Sequence, residues 1–157
     1  MTTPDLRATC LELMATVDVV YLTTLGEDGG PRIRAMLNLR NRDQYPEKMA
    51  LYADHDDDFM IYLSTNTSST KRREIERDPR IGLYYCRPAD FRGVSVVGDA
   101  ELIEDPTIKA AVWVDWWDRY YPTGRPDDPD YTLLRLFPRR VSGWHQGRKF
   151  EFEPAGS

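Results

Sequence analysis

The chain has 157 residues and a formal net charge of −5, and its 41 % hydrophobic content can fill a core. That length predicts a single domain, within the usual range of about 100–200 residues. The acidic balance argues against nucleic acid as a partner. No apolar run approaches the roughly 20 residues needed to cross a membrane. The opening MTTPDLRATC shows no secretion signal, so a cytoplasmic location is expected.

Cys10 and Cys86 lie far apart and outside any CxxC spacing, so both are expected to be buried, reduced thiols. With two histidines and no Cys/His cluster, no zinc site is expected.

In chain order, the first element reads as a helix. Thr3 can cap it, Pro4 suits its first turn, and Leu6, Cys10, Leu13, Met14 and Val17 form a helical stripe. From Asp18 the pattern turns to β: DVVYLTTL reads as a strand and GEDGG as its turn. PRIRAMLNLR alternates. Ile33, Ala35, Leu37 and Leu39 share one face, expected to join the core; Arg32, Arg34, Met36 and Asn38 share the other. NRDQYPEK reads as a loop, and MALYA and FMIYLST as strands joined by the turn DHDDD. A short helix over SSTKRREIERD stops at Pro79. RIGLYYCR and FRGVSVVGDAELI are strands joined by RPAD.

Asp105 and Pro106 open a second helix, expected to run through WVDWWDRYY to Pro122. TGRPDDPD is a loop, YTLLRLF and RVSGWH are late strands or one long bent strand, and KFEFEP is an alternating tail. Several strands without βαβ alternation predict a mostly β (α+β) fold, an antiparallel barrel or sandwich with peripheral helices.

The chemistry concentrates in LSTNTSSTKRREIERD, where a strand, a hydroxyl-rich loop and a helix follow one another. A helix N-terminus exposes unpaired N–H groups and partial positive charge, and it normally recruits acids. Here Lys71, Arg72 and Arg73 occupy the first turn, with Glu74, Glu76 and Asp78 later. Each such misplacement costs about 0.3–1 kcal/mol when exposed. A bound phosphate would remove the conflict; a solvated basic patch is the alternative. Arg32 and Arg34 could bring a second cationic arm to the same anion, or pair with nearby carboxylates.

RAMLN, then YLSTNTSSTKRREIERDPRIGLYY, VSVVGDAELIEDP and WVDWWDRYYPTGRPDDPDYTLLRLFPRRVSGWH together resemble the general stress proteins of the pyridoxamine 5'-phosphate oxidase-like family. The most specific features are Thr65, Ser69 and Lys71 in family spacing, then Asp78-Pro79, and DDPDYTLLRL with a tryptophan beyond it. The resemblance implies an FMN-binding split β-barrel and a homodimer with flavin between subunits. Arg34, Ala35, Met36, Leu37 and Asn38 would run along the flavin, Arg34 reaching its phosphate. Ser64 and Thr65 would lie at the end of the neighbouring strand. Ser69, Thr70 and Lys71 would hold the phosphate, and Trp144 would approach the flavin from late in the chain.

Departures accompany the match. Family oxidases carry Arg-x-His after that tryptophan; here Arg148 is present but Phe150 replaces the histidine, and Gly93 stands where a flavin-contacting glutamine is expected. Vitamin B6 oxidation is therefore not expected. The insertion over 38–58 is expected beside the site, where it could reshape the mouth.

The functional readings are three: a flavin-dependent oxidoreductase of unidentified substrate, a non-catalytic flavin-binding stress or sensor protein, and a binder of the deazaflavin coenzyme. No side chain is assigned as catalytic. His55 in DHDDD is read as a hairpin turn without metal, and His145 as structural. Trp113, Trp116, Trp117, Tyr120 and Tyr121 are read as core or dimer packing, with a ligand-pocket wall as the alternative.

Overall fold

The computed structural model describes residues 2–156. Helix α1 spans Thr3–Thr16. Its N-cap is Thr2, not Thr3: the Thr2 hydroxyl and the Asp5 carboxylate form a reciprocal capping box, which satisfies otherwise orphaned amides. The expected stripe is buried at Cys10, Leu13, Met14 and Val17, with Leu6 packed against it. Burial pushes the Cys10 thiol up to about 12, which keeps it protonated and inert. Cys86 is only half-buried, contrary to expectation.

Eight strands follow: β1 (Val19–Leu25), β2 (Pro31–Leu37), β3 (Ile61–Asn66), β4 (Arg80–Arg87), β5 (Arg92–Ile103), β6 (Tyr131–Leu136), β7 (Arg140–His145) and β8 (Arg148–Phe152). Helix α2 (Thr70–Arg77) links β3 to β4, and α3 (Pro106–Val112) follows β5. Every pairing is antiparallel, in the order β2-β1-β4-β5-β6-β3, with the β7–β8 hairpin added on β5. The long β5 pairs with β4 and β7 along its first part and with β6 from Ala100 to Ile103. That change of partner curls the sheet into a half-barrel, so the split-barrel expectation holds.

One core lies between α1 and the inner sheet face, with Val20, Leu22, Leu83, Tyr85, Val96 and Val141 fully or nearly fully buried. A second, aromatic core joins Tyr45, Tyr52, Tyr62, Trp113, Trp117, Tyr121 and Tyr131. Each large side chain so buried contributes about 1.5–3 kcal/mol.

Several local expectations are corrected. MALYA is not a strand: Pro46–Tyr52 is a 3-10 helix. Buried Arg40 fixes this insertion by donating to the carbonyls of Met60 (3.0 Å) and His55 (3.0 Å) while stacking over Tyr52. In the following turn His55 pairs with Asp58 at 2.9 Å. The second long helix is broken. α3 stops at Val112, Trp113 and Val114 are extended, and a second 3-10 helix covers Asp115–Tyr120. Val112, Trp113 and Val114 are all buried, and one helix face cannot bury three consecutive side chains. β6 and β7 are two separate strands.

The largest correction concerns β2. Its register pairs Arg32, Arg34 and Met36 with the inward residues Thr24, Leu22 and Val20 of β1. The opposite face, expected in the core, divides: Ile33 points outward at 69 % exposure and Ala35 is exposed, whereas Leu37 packs against the aromatic core and Leu39, just beyond the strand, is buried in it as expected. The alternation is real, but β2 is a sheet edge whose inner side faces a buried carboxylate.

Candidate functional site

That carboxylate belongs to Glu74, on the α2 face packed against β1. It is 2 % exposed. Thr24 donates to it at 2.7 Å; Arg34 Nη2 lies 3.5 Å away and Arg32 Nε 3.8 Å away. Arg34 also donates to Thr24 Oγ1 at 2.6 Å. Both strand arginines therefore meet an internal acid, the alternative left open by the sequence. Arg32 stays more than half exposed and its contact is loose.

Ser69 is the N-cap of α2, accepting from the Arg72 amide, and its hydroxyl meets Thr65 Oγ1 at 3.3 Å. No acid occupies the first turn. The other first-turn cations are spoken for. Arg72 binds Glu76 and Thr132, and Arg73 reaches Thr70 and the Ser68 carbonyl. Lys71 differs: among the described residues, no acceptor lies within hydrogen-bond or ion-pair reach of its ammonium. Its pKa is lowered, first by partial burial and then by the positive charge of Arg34, which Glu74 only partly offsets.

Lys71 opens into a cleft of about 330 Å³, a size that suits a small-molecule site. One side is β2, through Ala35, Met36 and Leu37, with Val19 beside them. The floor is the end of β3, at Ser64, Thr65 and Asn66. The facing wall is aromatic: Trp117, Tyr120 and Tyr121. The Tyr121 hydroxyl donates to the Thr65 carbonyl at 3.3 Å and pins this wall to β3; burial pushes its pKa up to about 12. The insertion braces the wall, with Tyr45 stacked on Trp116 at 6.0 Å between ring centroids. The cleft thus has apolar and aromatic sides, a polar floor and a cation at one end.

The structure brings Ala35, Met36, Leu37, Ser64, Thr65 and Lys71 together around this cleft. Ser69 and Thr70 lie at its cationic end. Arg34 stands behind Lys71. Asn38 lies elsewhere: it is buried and donates to the carbonyls of Met14 and Val17, both at 2.8 Å, closing the end of α1. Trp144 also lies away from the cleft within one chain, half-exposed on β7 with Lys149 over its ring. The hydroxyl end of the exposed Tyr84 ring lies over Gly93, the cross-strand partner of Trp144, so a side chain there would have to displace that ring. Phe150 is half-buried and stacks on Phe152. Glu74, Thr24 and Asn66 were not singled out from sequence. For Asn66 the signal was its place inside the hydroxyl-rich loop.

An antiparallel half-barrel with a strand–loop–helix element lining an edge cleft defines a split barrel of the pyridoxamine 5'-phosphate oxidase type. The pyridoxamine 5'-phosphate oxidase family matches residues 6–145, and the chain belongs to that family. It is 27 % identical to a protein related to general stress protein 26, from Clostridium acetobutylicum, over 97 % of this chain and 96 % of that one, with a TM-score of 0.77. In fold it resembles a heme binding protein from Mycobacterium smegmatis (18 % identity, 98 % of this chain and 60 % of that one, TM-score 0.69). It also resembles a pyridoxamine 5'-phosphate oxidase-related, FMN binding protein from Nostoc punctiforme (14 % identity, 98 % and 97 % covered, TM-score 0.62). No curated protein matches the chain in sequence.

Proposed function

We propose that the cleft binds FMN, with the phosphate at the start of α2 and the ring system between β2 and the aromatic wall. The observation that carries this reading is Lys71, a cation with no hydrogen-bond or ion-pair partner among the described residues, at one end of a cleft with apolar and aromatic sides. A phosphate there would accept from Lys71, from the hydroxyls of Ser69 and Thr70, and from first-turn amides, with Arg34 adding charge from behind. Leu37, Met36 and the exposed ring of Tyr120 suit a flat conjugated ring. Bound flavin would supply hydride or electron transfer; the chain's residues bind, orient and exclude water. The Nostoc relative described as FMN binding supports the same reading.

The functional unit in this reading is a two-fold dimer. Val19, Tyr21, Ile33 and Tyr84 share the outer sheet face, each at least 37 % exposed, and such a patch suits a partner copy. Trp144, exposed beyond Gly93, would then approach the partner's cleft. The activity would be that of a flavin-dependent oxidoreductase. Replacement of the family's Arg-x-His histidine by Phe150 argues against vitamin B6 as substrate.

The test is to purify the protein and identify what it releases on denaturation, by absorption and mass. FMN supports the reading. Released deazaflavin or haem, or an apoprotein that fails to bind added FMN, would overturn it. Reduction of the bound flavin by a donor, with reoxidation by an acceptor, separates an enzyme from a passive binder.

A further inference from the structure

The DDPD segment immediately before β6 packs against the loop that leads into α2. Asp128 is buried and folds this segment on itself, accepting from the Thr123 amide and hydroxyl, both at 2.7 Å, and from the Asp130 amide at 2.8 Å. Asp130 then reaches across to the loop before α2. Its carboxylate accepts from Asn66 Nδ2 at 2.7 Å and from the Ser68 amide at 2.9 Å. Between these contacts, Thr67 donates its amide to the Asp130 carbonyl at 2.6 Å and its hydroxyl to the Pro129 carbonyl at 2.9 Å. Asn66 at the end of β3 and the loop residues Thr67 and Ser68 are thus held by one segment, immediately before Ser69, Thr70 and Lys71.

Asn66 joins two parts of the cleft. Its amide nitrogen also donates to the Tyr120 carbonyl at 3.2 Å, in the aromatic wall. Both partners can only accept, so the amide nitrogen must face them and the amide oxygen must turn the other way. Burial works against the Asp130 carboxylate, but hydrogen bonds from Asn66 and Ser68 hold its pKa below the ordinary value.

A carboxylate so near an anion site is an electrostatic liability, because it repels the ligand. Its retention there needs a geometric reason. We infer that Asp130 is a positioning residue: through Asn66 and Ser68 it sets the loop that aims the hydroxyls and amides of the α2 N-terminus at the phosphate, and it ties that end to the aromatic wall. The inference rests on the FMN reading above.

Charge and geometry predict opposite signs for Asp130→Asn. If Asp130 were only a nearby negative charge, the variant would bind FMN more tightly. As a positioning residue its loss should weaken FMN about tenfold while riboflavin, lacking the phosphate, changes by no more than about twofold. Amide hydrogen exchange of the ligand-free protein is the second readout. Exchange at Ser68, Ser69 and Thr70 should quicken, with the amides of β3 and β6 unchanged. Should Asp130→Asn fail to fold, Thr67→Val removes the hydroxyl arm of the clasp to the Pro129 carbonyl, away from the cleft lining, and should show the same FMN-selective loss. Tighter or unchanged FMN binding, an equal loss of riboflavin, or unchanged exchange would overturn the inference. Wild-type protein that ignores FMN while the exchange result holds would instead overturn only the cofactor reading.

Discussion

Replacing Lys71 with alanine separates a ligand-reading cation from a structural one. In the folded apoprotein Lys71 has no hydrogen-bond or ion-pair partner among the described residues, sits at the positive end of α2 and feels Arg34, which Glu74 only partly offsets. Removing it should leave apo stability unchanged or raise it by about 0.3–1 kcal/mol, the usual value of a misplaced charge at a helix terminus. The same change should remove a charge-assisted contact worth about 1.5–3 kcal/mol, which is roughly tenfold or more in FMN affinity. Riboflavin should bind wild type and variant about equally.

The pH dependence follows with its sign. The folded pKa of Lys71 lies below its unfolded value, so the protonated side chain costs stability. That cost is full below the folded pKa and disappears as pH rises through the unfolded one. FMN affinity should fall as pH rises through the lowered pKa, and the variant should lose this fall. Urea denaturation measures the first effect and equilibrium titration with both flavins the second. An equal loss of riboflavin, or a lower apo stability with FMN affinity intact, would refute the assignment.

Other substitutions probe neighbouring parts. Arg34→Met removes the nearer cation from the buried Glu74 carboxylate, leaving it Thr24 and the loose Arg32 contact, and should cost about 1–3 kcal/mol in urea denaturation. Arg32→Ala removes only an exposed, 3.8 Å contact and should cost about 0–1 kcal/mol by the same assay. Gly143→Ala would drive a methyl group into the Gly93 carbonyl across the β5–β7 pairing, and should lower stability by about 1–3 kcal/mol or more. Ile33→Asp places a charge on the exposed outer face; light scattering should show a dimer become a monomer with unchanged circular dichroism, and a wild-type monomer would remove the shared-site reading.

The part of the site most legible in the sequence was local. The strand end, hydroxyl loop and cationic first turn lie within one short stretch, so Lys71 and its hydroxyl neighbours could be grouped from the residues, while Ser64 and Thr65 came with the family resemblance. What sequence could not supply was orientation. The alternation of β2 located both its faces, but its inner side was decided by Glu74, far along the chain and buried against β1. The aromatic run looked continuous because periodicity cannot show that Trp113 must leave the helix to pack against Trp117, Tyr121 and Tyr131. Asn38 followed the strand pattern one residue too far, into a cap for α1. The insertion looked like a strand near MALYA because the anchor that shapes it, Arg40, acts through backbone carbonyls.

The most direct test of the central claim is a crystal structure of the protein soaked or grown with FMN. The phosphate should lie against Lys71 and the first-turn amides of α2, and the ring should lie between β2 and Tyr120 of the aromatic wall. Electron density for the phosphate away from α2, or for the ring outside this cleft, would contradict the account.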